Sequence, residues 1–290
     1  MNVVNLLIAG LANGSLYALV ALGLVLIYKS QDMVNWAHGE TLMLGAFTGY
    51  FVYVQLKLPY VVAFLLSVIA GVLLGYIVER LLVRRLAHVP HIRLAMLTVG
   101  LAIFLRGVAR LPFGSDIYAF PPAFGSQPLS FDGLVIAPQA LINIVAALLL
   151  AGSFFVVFRF TSLGRQMRAT QQSPTGASMV GVNINWIYSL TWIIASAVGS
   201  TAGFLAAPLT LLYPDMGAAY LLKGFAAAVV GGFGSAPGAI VGGFTIGIVE
   251  MLCGGLISTK IIDISAYLLI ILIICVRPEG LFSTGIRKRV

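Results

Sequence analysis

Lys223 and Glu250 each interrupt an apolar stretch of sequence. A charge at the centre of a membrane helix costs about 2.5–3.5 kcal/mol on insertion scales. Each therefore needs a partner, a wet cavity or a route to the headgroups. Lys223 stands about seven residues into one apolar run and Glu250 about six residues before the end of the next, which is about 10 Å from the same surface for antiparallel helices. Two readings follow. Either the charges approach each other or share a wet vestibule, or each side chain snorkels separately to the outer headgroups.

Two further polar groups stand inside apolar runs. Asn35, His38 and Thr41 recur at three-residue spacing and are followed by Gly45 and Gly49, a polar-then-small stripe on one helix face. They could line a pathway or gate. Equally, they could mark a helix start, with Asn35 capping the first turn and Glu40 favoured by the positive helix N-terminus. Gly10, Asn13 or Gly14, and Tyr17 share a face near the N-terminus. Asn13 must bond a neighbouring helix or face a wet cavity, because hydrocarbon satisfies no polar group.

None of these clusters has the form of a catalytic site. His38, His88 and His91 belong to no metal-binding or nucleophile–base pattern, and Cys253 and Cys275 have no redox or metal spacing. A Walker A loop is absent, so any ATP-driven work requires a partner. The reading is a non-enzyme that binds neither metal nor cofactor of its own.

The elements that position these residues follow from composition. Hydrophobic residues make up 60% of the 290 and charged residues 9%, against roughly 25% charged in soluble domains. Apolar runs of about 18 residues or more recur, as bilayer-spanning helices require. Candidate spans cover residues 4–28, 36–56, 60–79, 94–111, 135–158, 186–212, 217–230, 240–256 and 262–276. The stretch before Gly231 is short enough for a half-helix, so the expected architecture is an all-α polytopic bundle of eight or nine spans. The first run lacks a basic leader and reads as a retained span. No internal repeat is evident, and a soluble domain is not expected within 1–290.

Basic residues set the expected orientation. Arg80, Arg84, Arg85 and Arg93, then Arg159, Arg165 and Arg168, then Arg277, Arg287, Lys288 and Arg289 fall on one side with nine spans, together with Lys29. By the positive-inside rule that side is cytoplasmic. The N-terminus and the Pro-, Gly- and aromatic-rich loop 112–134 then face the periplasm, and the C-terminus faces the cytoplasm. This clustering accounts for the net charge of +8 without nucleic acid. Arg106 and Arg110 are exceptions read as snorkelling near outer helix ends.

The sizeable cytoplasmic insertion is 159–185. Ser173 can cap a helix that has Pro174 at its first position, with Ala177, Met179 and Val180 as a small apolar face. Such a helix could anchor at the interface or dock another protein. Elsewhere, Gly45/Gly49, Gly71/Gly75, Gly199/Gly203 and Gly243/Gly247 carry the small-residue spacing of closely packed membrane helices.

Three stretches carry a family resemblance: GSLYALVALGLVLIY (14–28) leading to VNWAHGE (34–40) and MLGAF (43–47); LGRQMRAT (163–170) running to VGVN (180–183); and KGFAAAVVGGFGS (223–235) followed by PGA (237–239) and VGG (241–243). In order and spacing the chain resembles the LivH-type permeases of hydrophobic amino-acid ABC importers, over nearly its whole length. The resemblance implies import of branched-chain or other hydrophobic amino acids into the cytoplasm across the bacterial inner membrane. It places a coupling helix for a cytoplasmic ATPase within Arg165, Arg168, Ser173, Pro174, Ala177 and Gly181. It implies two ATPase subunits using ATP and Mg, a second permease (a LivM-like partner or a second copy) and a periplasmic substrate-binding protein. Related permeases move urea, short amides or sugars; an ion-coupled secondary transporter is the reading from another class. Residues 171–177 lack the acidic side chains expected near the Pro, so no salt bridge to the ATPase is assigned there.

Overall fold

The computed structural model describes residues 3–86, 91–123, 125, 127, 129–131 and 134–282. His88 and the basic tail Arg287, Lys288 and Arg289 lie outside the described residues. In chain order the helices are α1 (Val3–Gln31), α2 (His38–Tyr50), α3 (Tyr60–Val78), α4 (His91–Phe113), α5 (Pro138–Phe160), α6 (Ser162–Gln172), α7 (Pro174–Met179), α8 (Ile184–Ala206), α9 (Met216–Gly231), α10 (Ala236–Leu256) and α11 (Ile262–Val276). α2 and α3 each continue as a π-helical turn, Phe51–Gln55 and Glu79–Val83. A two-stranded hairpin, β1 (Leu129–Phe131) with β2 (Leu134–Ile136), precedes α5.

The membrane architecture is the all-α polytopic bundle expected. Among the described residues, seven helices are long and apolar enough to cross a bilayer. The expected spans at 36–56 and 217–230 correspond to the shorter α2 with its π-turn and to α9. The expected span 186–212 ends early: α8 stops at Ala206, and the chain runs in turns to α9. The insertion 159–185 holds two helices, α6 and α7, where the sequence had suggested one.

α1 and α8 form the centre. Every residue from 14 to 27 and from 198 to 206 is buried, as an all-round apolar helix demands when it lies inside protein. Small residues let their neighbours come close. A Cβ on Gly243 or Gly247 of α10 would strike the backbone of Ala18 or Gly14 on α1. Gly71 and Gly75 of α3 meet Ser200 and Ser196 of α8 in the same way. All four glycine pairs noted in the sequence lie at such crossings.

These crossings reveal a repeat that the sequence hides. α10 packs antiparallel on α1 and α3 packs antiparallel on α8, while α2 lies along α8 and α9 lies along α1. The units α1–α3 and α8–α10 thus exchange roles. The presence of a repeat therefore does not separate this chain from secondary transporters, many of which are built on one.

Candidate functional site

α2 and α9 begin against each other inside the bundle. A side chain on Gly39 would collide with the Gly217 carbonyl, and one on Gly217 with the Gly39 carbonyl. The segment entering α2 is irregular and buried, so its polar backbone needs internal partners. Asn35 Oδ1 accepts the Ala37 amide at 3.0 Å, and Thr98 Oγ1 accepts the Trp36 amide at 3.1 Å. Asn35 thus holds the turn before α2 but does not cap the helix itself, whose N-cap is Ala37 with no side-chain cap bond.

His38 and Thr41 face α8. Thr41 Oγ1 donates to the His38 carbonyl at 2.7 Å, and the Ser200 hydroxyl donates to the Thr41 carbonyl at 3.1 Å. The His38 ring is fully buried between Gly23 of α1 and Gly199 of α8, and among the described residues neither ring nitrogen has a hydrogen-bond partner. A cavity of about 10 Å³ beside Asn35 and Thr41 is far below the roughly 300–1,000 Å³ of ligand sites.

Glu40, beside them, has a partner absent from the sequence reading. Its carboxylate is fully buried, and Oε1 accepts from Arg106 Nε at 2.8 Å. Arg106 Nη1 also lies 3.7 Å from Asp215, which Arg110 holds at 2.8 Å. Arg106 and Arg110 therefore do not simply snorkel; they tie α4 to α2 and to the segment before α9. The signal was their four-residue spacing, which puts two cations on one face of an apolar helix. A third carboxylate, Glu79, is buried against Arg84, with Oε2 at 2.9 Å from Nη2 and 2.6 Å from the Ser189 hydroxyl.

Lys223 and Glu250 meet. Lys223 Nζ lies 2.5 Å from Glu250 Oε1 and 3.1 Å from Asp263 Oδ1 at the start of α11. Tyr17 joins them, its ring 5.5 Å below Lys223 Nζ and 5.9 Å from the Tyr220 ring. Asn13, on the same helix, points Nδ2 at Met251 Sδ of α10, 3.6 Å away, a weak acceptor. The five candidate pathway residues thus fall into two groups. Asn35, His38 and Thr41 sit at the α2–α8 contact, and Asn13 and Tyr17 at the α9–α10 side with the charged pair.

The coupling candidates lie on α6 and α7. Ser173 Oγ accepts the Gly176 amide at 3.0 Å with Pro174 in the first turn of α7, and Gly181 turns the chain at φ +84°. Ala177 packs inward, whereas Met179 and Val180 are 81% and 78% exposed, so the small apolar face divides. Arg165 is exposed. Arg168 is turned inward: it donates to the Phe158 carbonyl at the end of α5 and covers that ring. Its guanidinium braces α6 on α5.

Comparison with known proteins adds the family. Residues 6–277 match the family described as the branched-chain amino acid transport system / permease component. The high-affinity branched-chain amino acid transport system permease protein LivH of Salmonella typhimurium is 32% identical, over 94% of this chain and 93% of its own. BraD of Pseudomonas aeruginosa, a permease protein of the same kind of system, is 32% identical over 96% and 94%. Among solved structures, PsaBC from Streptococcus pneumoniae in complex with Fab aligns over 95% of this chain and 91% of that chain, at 16% identity and a TM-score of 0.49. A match along almost the whole sequence, on a bundle of seven long apolar helices, leaves one conclusion: this chain is a multi-pass membrane protein belonging to the permease-component family of branched-chain amino acid transport systems.

Proposed function

We propose that this chain is a membrane subunit of an ABC importer that moves branched-chain or other hydrophobic amino acids into the cytoplasm. The observation that carries the reading is the 32% identity with branched-chain amino acid permeases along 94% of the chain. An amino-acid zwitterion does not cross about 30 Å of hydrocarbon unaided. The subunit would supply a path that opens to each side in turn, with substrate selection left to a separate periplasmic binding protein.

Energy would come from two cytoplasmic ATPase subunits that use ATP and Mg, docked on α6 and α7. The exposed Met179 and Val180 give an apolar contact at the end of α7, opposite its capped start. A second permease, a relative or another copy, would complete the translocator. Basic residues gather at the α6–α7 end: Lys29 and Arg168 over the Phe158 ring, and Arg84 at the Asn185 carbonyl where α8 begins. That placement supports a cytoplasmic α6–α7 face and C-terminus, with the N-terminus periplasmic.

Proteoliposomes test this. With the ATPase, partner permease and binding protein present, leucine uptake should require ATP and should not follow an imposed ion gradient. Uptake driven by a gradient with no ATPase would sink the proposal. Competition by urea or short amides, with none by leucine, would keep the architecture and reassign the cargo.

A further inference from the structure

A cavity of about 620 Å³ lies between α5 and α10 at the α6 end of the bundle, within the size range of ligand sites. Its walls are apolar. Leu148 and Phe155 of α5 and Val241 of α10 line it and are themselves substantially exposed, so the cavity opens sideways between the two helices. At one end stand Lys29, Arg159 and Arg168, and among the described residues no acidic side chain lines it. Lys29 Nζ is 5.0 Å and Arg168 Cζ 5.3 Å from the same Phe158 ring, and Arg159 Cζ is 5.6 Å from the Phe155 ring.

Three like charges beside a low-dielectric cleft repel one another and attract an anion. An anion that also fills an apolar slot open to hydrocarbon must carry a hydrophobic tail. We infer that this cleft is a binding site for an anionic phospholipid, with the phosphate on Lys29, Arg159 and Arg168 and an acyl chain between α5 and α10. Basic pockets between transmembrane helices on the cytoplasmic side bind acidic headgroups by this chemistry. The site bridges α1, α5, α6 and α10, so the lipid would hold the α6–α7 unit against the bundle. The cleft and its charges do not depend on the importer reading; only the assignment to the cytoplasmic leaflet does.

The test uses the full chain in nanodiscs of phosphatidylcholine with or without phosphatidylglycerol, with retained lipid counted by native mass spectrometry. Phosphatidylglycerol should be retained over phosphatidylcholine. Lys29→Gln with Arg159→Gln should weaken its retention about 30-fold, given the usual contribution of each cation near an anionic surface. Arg80→Gln, outside the cleft, should leave retention unchanged, and excess inorganic phosphate should not displace the lipid. If the double variant fails to insert, Leu148→Trp, which fills the slot and keeps the charges, should abolish retention. Equal retention of the two lipids, wild-type retention by the variants, or displacement by inorganic phosphate would overturn the assignment. Cross-linking of Gly152→Cys between two copies with lipid excluded would overturn it too, making the cleft a subunit interface. No ATPase or substrate is present, so failure here leaves the importer proposal standing.

Discussion

Glu40 and Glu250 set the same physical problem in two places. Each carboxylate is essentially inaccessible, and each gives one oxygen to a half-buried cation. In both, the cation also reaches an exposed acid: Asp215 beside Arg106 and Asp263 beside Lys223. The sites differ in connectivity. Lys223 and Glu250 lie on consecutive helices α9 and α10, whereas Glu40 and Arg106 come from α2 and α4 with α3 between them. The Glu250 site is a local clasp; the Glu40 site ties distant segments at the point where α2 and α9 begin.

The largest effects should come from removing a cation. Arg106→Ala and Lys223→Ala each leave a buried carboxylate unpaired, which costs about 3–5 kcal/mol in buried pairs. Unfolding in detergent measures this loss. Glu40→Gln with Arg106→Gln, and Lys223→Met with Glu250→Gln, should recover much of it because no buried charge remains. Double variants no more stable than the singles would show that contacts other than charge hold these sites.

An intermediate effect separates the two regions. Gly39→Ala pushes α2 from α9 next to Glu40, and overpacking of this kind costs about 1–3 kcal/mol. Gly100→Ala on α4 meets nothing within 4 Å, and should be neutral or stabilise by about 0.5–1 kcal/mol through helix propensity. Equal stability of the two variants would refute the close α2–α9 approach.

The smallest effects belong to the exposed acids. Asp215→Asn and Asp263→Asn should each change stability by less than about 1 kcal/mol, since exposed pairs contribute little and each buried pair persists. A loss as large as that of Lys223→Ala would mean that Asp263, rather than Glu250, fixes the lysine.

The contrast also explains what the sequence could reveal. Lys223 and Glu250 were legible because depth in consecutive antiparallel helices follows from residue counting. The Ser173–Pro174 start of α7 was legible because capping is local. Glu40 was read as favouring its own helix start, since nothing in one dimension says that α4 returns to α2. Arg168 was placed in the coupling helix by resemblance, and its reach to the end of α5 depends on how α6 folds back. The repeat was invisible because it lives in shared small-residue crossings rather than in a recurring motif. Asn13 and Tyr17 had no visible link to the charged pair until α1 was seen packed on α10.

The proposed importer takes its energy through α6 and α7. This is tested most directly by ATP-driven leucine uptake in proteoliposomes containing the chain with Met179→Asp and Val180→Asp. Both side chains point away from the bundle, so the unfolding midpoint should stay within experimental scatter. Uptake and ATPase association should fall at least about tenfold, as for a contact central to an interface. Undiminished uptake with normal ATPase association would contradict the claim.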